Sequence, residues 1–299
     1  MIVQKSFYFY EVGMKRHIIN RWITVVLLIG ICVWMYYRNT IPKIMWVFWD
    51  NPEHIPKTVT MCIESWRKYH PDYNIILLTK MNYNEYINIP HRIVTHPHFN
   101  ESMARFSDLI RLYALAEHGG IWLDSSILLK GPVDNWLLPR YEFSGFYLDG
   151  FTQKKEYPVI ESWFLACHKG SEFVRLWKDE FTKIAEYESV DKYVESRKEL
   201  GVDLQKIDHP NYLAIHVSAQ KVLQIDRYPV DRLQLQKAED GPYRYLVDAK
   251  WDSEKALQLA CANKAYYTPI MKMRGAERKV MEKKIDNELS VARCGWIDS

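Results

Sequence analysis

The chain has no Cys-x-x-Cys pair and no cysteine–histidine cluster at zinc spacing, so a structural zinc site is not expected. It also lacks a basic stripe interleaved with aromatics, and its formal net charge is only +3, which together argue against a nucleic-acid partner. Glycine and proline are sparse, at 12 and 13 of 299 residues, and no repeat, low-complexity tract or Pro/Gly linker interrupts the chain. With 48% hydrophobic and 26% charged residues, this excludes long disordered tracts and predicts one sizeable body. Aromatics are plentiful instead: 11 Trp and 20 Tyr serve packing first and sugar or base stacking second. There are five cysteines. Cys32 falls in an apolar run, while Cys62, Cys167, Cys261 and Cys294 are open to pairing or to burial as thiols.

That apolar run, Trp22 to Tyr37 between Arg21 and Arg38, has 16 uncharged residues with aromatics at both ends. It is slightly short for an average bilayer, but flanking arginines can snorkel. No polar face marks it as a core helix, and no small-x-small site follows to mark a cleaved signal. The expectation is a cytosolic tail (residues 1–21), a single transmembrane anchor (22–37) and a body on the far side, because Lys5, Lys15, Arg16 and Arg21 outnumber Arg38 and Lys43. The expected class is therefore a type II membrane protein, its body lumenal in an ER- or Golgi-like compartment if eukaryotic or viral. The sequon at Asn100 fits that side. So short a stalk keeps the body near the bilayer, which suggests a membrane-near acceptor.

Beyond the anchor, the spacing predicts strands at Lys43 to Asp50, Asn74 to Thr79 and "GIWLDSSI", Gly120 to Ile127. Helices are expected over "KTVTMCIESWRKYHP" and from Asn100 to His118, with Gly119 as a left-handed C-cap. Strand–helix alternation predicts an α/β sandwich with parallel strands. Further strands are read at "FSGFYLDG", "VIESWFLACH" and Tyr243 to Val247, and helices from Ser171 to about Glu188 and over "PNYLAIHVSAQKVLQID". The tail from Ala276 to Leu289 reads as a solvated charged helix.

Ligands in such sheets bind at the carboxyl ends of strands. Asp124, just after "IWL", stands at such an end, followed by Ser125 and Ser126. A carboxylate and a hydroxyl there suit a hard divalent cation that bridges phosphate oxygens. Equally, these three residues could cap a turn. The preceding helix tilts the balance. Asp108 and Arg111 can pair at i, i+3 amid Phe106, Leu109, Ile110, Leu112 and Leu115, so the charged strip should face a polar pocket. His216, within an apolar helical run, reads as a core histidine.

"FSDLIRLYALAEHGGIWLDSSI" resembles the signature of the capsular polysaccharide synthesis family of glycosyltransferases. It is similar too to the wider DXD-containing sugar-transferase group, which includes initiating mannosyltransferases and α-1,4-galactosyltransferases. "IPKIMWVFW", "PVIESWFLACHKGSEF", "YLAIHVSAQKVLQ" and "TPIMKM" resemble further stretches, so the likeness spans Ile41 to Lys272. It implies a GT-A-type, Rossmann-like fold over residues 41–275, followed by a charged tail over 276–299. The implied donor is a nucleotide sugar, a UDP- or GDP-sugar, and the acceptor a glycan or glycolipid hydroxyl. Asp108 and Asp124 would be catalytic, with Asp108 and Arg111 on the donor sugar and Asp124 on ribose and metal. Trp49 would pack on the base, and Arg105, Ser107, Ser126 and Lys272 would complete the donor site. Mn²⁺ or Mg²⁺ would rest on Asp124 and Ser126. Ser126 stands where the motif has its second aspartate, and Met271 where a histidine is expected, so metal dependence should be weak or partial. Lys272 and Arg274 could then offset diphosphate charge. The wider group retains anomeric configuration; an inverting route would need a base such as Glu161 or Asp149. Rival readings are a noncatalytic tethered binding protein and a nucleotidyl- or phosphosugar-transferase.

Overall fold

The computed structural model describes residues 24–25, 40–262 and 269–286. The chain divides into two units, Met1–Thr40 and Ile41–Ser299. In the first, Thr24 and Val25 are helical; the rest of the expected span, residues 22–37, lies outside the described residues. Among the described residues no helix is long and apolar enough to cross a membrane.

The second unit opens with strand β1 (Ile44–Phe48), helix α1 (Lys57–Tyr69) and β2 (Asn74–Leu78), as the patterning predicts. Short turns of helix, α2 (His91–Val94) and α3 (Pro97–Asn100), follow where prolines break the pattern, and then comes the long helix α4 (Met103–His118). Ser102 caps α4 by accepting from the Arg105 amide. At its other end Gly119 has φ of +70° as expected, although ψ of −156° is extended rather than helical. A Cβ on Gly119 would lie 2.6 Å from the Lys169 amide nitrogen, so only glycine lets the chain turn so closely into β3 (Gly120–Leu123).

The stretch "GIWLDSSI" is not one strand. β3 ends at Leu123, the Ile127 amide donates back to the Asp124 carbonyl at 3.0 Å, and β4 (Ile127–Leu129) begins in a different sheet. β5 (Phe143–Tyr147), β6 (Ile160–Cys167), α5 (Glu172–Thr182), α6 (Val190–Glu199), α7 (Ala214–Gln224) and β7 (Leu233–Lys237) complete the main layers. The six-stranded sheet runs β2-β1-β3-β6-β5-β7. β1 is parallel to both β2 and β3, and β5 to β7, but β6 is antiparallel to both its neighbours, so the sheet is mixed rather than wholly parallel. β1 sends the chain one way to β2 and stands on its other side against β3. The crevice beyond the carboxyl ends of β1 and β3 is therefore a topological switch point.

Alternation along β1 sorts the core. Trp46 and Phe48 face α4, α5 and α7, while Met45 and Val47 face α1 and the C-terminal elements. Both faces are covered, giving a three-layer α/β/α body. α1 buries Val59, Cys62, Ile63 and Trp66. Cys62 and Cys167 are buried free thiols, and Cys261 is disulfide-bonded.

Two expectations fail here. Tyr243 to Val247 is no strand; α8 (Arg244–Asp248) forms instead, with Tyr245 and Leu246 buried as core residues and Arg244 paired to Asp248 one turn on. Nor is the tail helix simply solvated. After α9 (Ser253–Ala262) and β8 (Ile270–Lys272), α10 (Gly275–Asp286) buries Glu277 and Met281 completely or nearly so. Its Glu282 carboxylate accepts from the Lys57 and Thr58 amides at 2.8 Å each, capping the otherwise unsatisfied N-terminus of α1.

Candidate functional site

The crevice at the switch point is a cavity of 480 Å³ lined by the ends of β1 and β3, the first turns of α4, the Asp124–Ser126 turn, β8 and the start of α10. Its polar wall is a chain of charges. Arg111 Nη1 lies 3.1 Å from Asp108 Oδ1, the expected i, i+3 pair, and also donates to the Ser162 carbonyl at 2.7 Å. Arg111 Nη2 donates to Asp124 Oδ1 at 3.1 Å. Trp122 Nε1 donates to the same oxygen at 3.1 Å, and the guanidinium lies 4.9 Å from the Trp122 ring centroid. On the other side, Lys272 Nζ donates to Asp124 Oδ2 at 2.8 Å and to Ser126 Oγ at 2.9 Å.

Burial separates the two carboxylates. Asp108 is 8% exposed, and desolvation pushes its carboxyl above the usual range despite Arg111. At Asp124 burial pulls the same way, but Lys272 and Arg111, with the hydrogen bonds from Lys272 and Trp122, outweigh it and hold the carboxyl low. The two carboxyls are thus pushed in opposite directions from their ordinary range.

Of the residues expected at a donor site, Trp49, Ser107, Asp108, Arg111, Asp124, Ser126 and Lys272 all line the cavity. Arg105 is not among the lining residues; its Nε donates to the His98 carbonyl at 2.6 Å, tying the start of α4 to the preceding turn. Trp49 stands at the end of β1 with its Nε1 on the His54 carbonyl and the Arg278 guanidinium 5.4 Å from its ring. Arg274 lines the cavity too, held by the buried Glu277 through Nη2 at 2.7 Å and Nε at 2.9 Å. Hydrogen bonds from Arg274 and Ser253 outweigh the burial that would raise the Glu277 carboxyl and keep it low.

His216 is no satisfied core histidine. It lines the cavity, its Nε2 lies 3.7 Å from Glu161 Oε2, and its buried Nδ1 has no partner among the described residues. The apolar residues flanking it in α7 concealed this. Asp149, the other base considered, pairs with Lys237 away from the cavity. Trp122 and Arg278 were not anticipated: an indole within a strand reads as packing, and an arginine in a charged helix reads as surface.

A divalent cation fits this arrangement poorly. Among the described residues no group of three or more His, Cys, Asp or Glu side chains could hold one. The oxygens of Asp124 and Ser126 that would bind it already accept from Lys272, Arg111 and Trp122. Sharing them with the ammonium at about 4 Å would cost roughly 8 kcal/mol of repulsion at an effective dielectric of about 20.

Two curated relatives carry glycosyltransferase names. The chain is 26% identical over 174 residues to an O-glycosyltransferase of Annulohypoxylon truncatum, covering 52% of this chain and 41% of that protein. It is 26% identical over 150 residues to inositol phosphoceramide mannosyltransferase 1 of Schizosaccharomyces pombe, covering 44% of each. The chain therefore spans less than half the length of these relatives. Among solved structures, a glycosyltransferase involved in glycosylation of the major capsid of PBCV-1 aligns over 82% of this chain and 98% of its own, at 12% identity and a TM-score of 0.40. The family pattern described as capsular polysaccharide synthesis protein matches residues 33–196, more than half of the chain, and the protein belongs to that family.

Proposed function

We propose that the protein is a GT-A-type glycosyltransferase that moves one sugar from a nucleoside-diphosphate donor to a glycan or glycolipid hydroxyl. The observation that carries this reading is the unbroken charge chain Asp108–Arg111–Asp124–Lys272 along one wall of a switch-point cavity with Trp49 at its mouth. An indole suits a base, and the cations of Lys272, Arg274 and Arg278 suit a diphosphate. Asp108, with hydrogen-bonding capacity on a rigid helix, suits sugar hydroxyls. In the reaction the bond from the anomeric carbon to the diphosphate oxygen breaks and one to the acceptor oxygen forms. The acceptor proton passes to the leaving diphosphate, so retention needs no protein base. Catalysis is then placement and charge stabilisation. Residues 22–37 would hold this body at a membrane beside its acceptor, as a type II protein facing a lumen.

The test is incubation with a panel of UDP- and GDP-sugars, reading released nucleotide and free sugar. Slow hydrolysis in the wild type that falls about a hundredfold in Asp124→Asn supports the reading. Binding without turnover points to a noncatalytic binding protein, and release of pyrophosphate or monophosphate to a nucleotidyl- or phosphosugar-transferase.

One observation favours inversion as a second reading. His216 lines the cavity with Nε2 near Glu161 and no partner on Nδ1 among the described residues, and such an imidazole would suit the acceptor proton. Anomeric configuration of the product, read by proton NMR, decides between them. An inverted product together with loss of turnover in His216→Gln would favour the histidine, and a retained product excludes it as the acceptor's base.

A further inference from the structure

Lys272 is built into its position from both ends. Its strand pairs Lys272 with Ile127, its amide donates to the Pro242 carbonyl at 3.2 Å, and its own carbonyl accepts from the Tyr245 hydroxyl at 2.6 Å. The side chain is 10% exposed, and two of the three ammonium donors go to Asp124 and Ser126. Among the described residues that leaves the third for a ligand in the cavity that Lys272 lines. Ser126 matters here as a neutral partner. A second carboxylate at this position would draw in a divalent ion, whereas a hydroxyl beside one carboxylate matches a singly charged ammonium.

We propose that the Lys272 ammonium, bridged between Asp124 and Ser126, takes the place of a divalent cation, so that this cavity binds the diphosphate of its nucleotide donor without metal. The inference rests on the glycosyltransferase reading and deepens it. Asp108 faces Arg111, Asp124 is shared between Arg111 and Lys272, and Arg274 is held by Glu277. Lys272 then provides a fixed charge at the diphosphate, with Arg278, stacked near Trp49, adding a second at the mouth. Because the ammonium cannot leave with the product as a metal can, its grip on the departing nucleoside diphosphate belongs to the protein alone.

The experiment is calorimetric binding of UDP and of GDP to the purified full chain, in EDTA and again in excess Mn²⁺. The wild type is expected to bind one of them with the same Kd, within about twofold, in both. Lys272→Met should bind about tenfold more weakly in EDTA and regain affinity with Mn²⁺, because Asp124 Oδ2 and Ser126 Oγ are then free to accept the ion. Lys272→Arg, which keeps the charge and guards against a folding defect, should stay indifferent to Mn²⁺. Wild-type affinity that rises tenfold or more with Mn²⁺ overturns the inference while leaving the transferase reading intact. So does Lys272→Met binding as tightly in EDTA as the wild type. Failure of the wild type to bind either nucleotide, with or without Mn²⁺, overturns the transferase reading and the inference together.

Discussion

Arg111 is the hinge of the charged wall, and Arg111→Met tests whether that wall is a buried network. The guanidinium is 5% exposed and serves Asp108, Asp124 and the Ser162 carbonyl at once. Methionine fills a similar volume beside Trp122 but returns none of those contacts. Breaking a buried pair from one side costs about 3–5 kcal/mol, because the remaining charge is stranded. The lower end applies, since Asp124 keeps Lys272 and is itself 27% exposed, leaving Asp108 as the main casualty. At about 2–4 °C per kcal/mol for a body of this size, a loss of about 3 kcal/mol lowers Tm by roughly 6–12 °C. The pH dependence carries a sign. Burial already raises the Asp108 carboxyl, and without Arg111 it rises further above its unfolded value. A raised carboxyl penalises the folded state above that raised pKa, and the penalty disappears as protonation sets in. Urea denaturation followed by tryptophan fluorescence should therefore show a larger deficit at pH 7.5 than at pH 5. Arg175→Ala, which removes an exposed helix pair with Asp179, should cost less than about 0.5 kcal/mol. A deficit below about 1 kcal/mol for Arg111→Met at pH 7.5, or one that grows on acidification, would refute the buried-network account.

Trp49→Ala should weaken nucleoside-diphosphate binding roughly tenfold, from about 1–3 kcal/mol of lost base stacking, with little change in Tm; equal affinities in calorimetry would remove Trp49 from the base site. Glu277 is fully buried with its carboxyl held low, so its contribution is present above the unfolded value of about 4.3 and is lost as pH falls through the lower folded value. Melting curves from pH 3 to 7 should fall steeply below about pH 4.3 in the wild type and more gently in Glu277→Gln, from a lower plateau at pH 7; parallel curves would contradict the burial of that pair.

What was legible in the sequence was whatever depends on short range. The i, i+3 spacing of Asp108 and Arg111 on a helix otherwise wrapped in apolar residues required a polar pocket, and the pocket is there. The first two strands and the helix between them followed from local patterning. The failures share a cause: position was set by a partner distant in sequence. β7, "LQLQK", carries alternate polar residues at the sheet edge and was overlooked. Glu277 and Glu282 read as solvated charges because nothing local reveals that one also accepts from the Ser253 hydroxyl, 24 residues away, and that the other caps a helix 225 residues away. His216 was hidden by the apolar neighbours that pack α7, while its own side chain reaches the cavity.

The same reasoning explains why the break after Leu123 matters more than the strand before it. Had "GIWLDSSI" continued as one strand, Asp124 and Ser126 would still have shared a face, spaced two residues apart. No second sheet would then have begun at Ile127, and β8 would have had nothing to pair with. Because the chain turns at Asp124 and restarts as β4, the Ile127–Lys272 pairing carries a lysine from 148 residues away to both side chains of the turn. Asp124 and Ser126, which look like a degraded metal motif in the sequence, thus become, once the turn is made, a fitted seat for an ammonium ion.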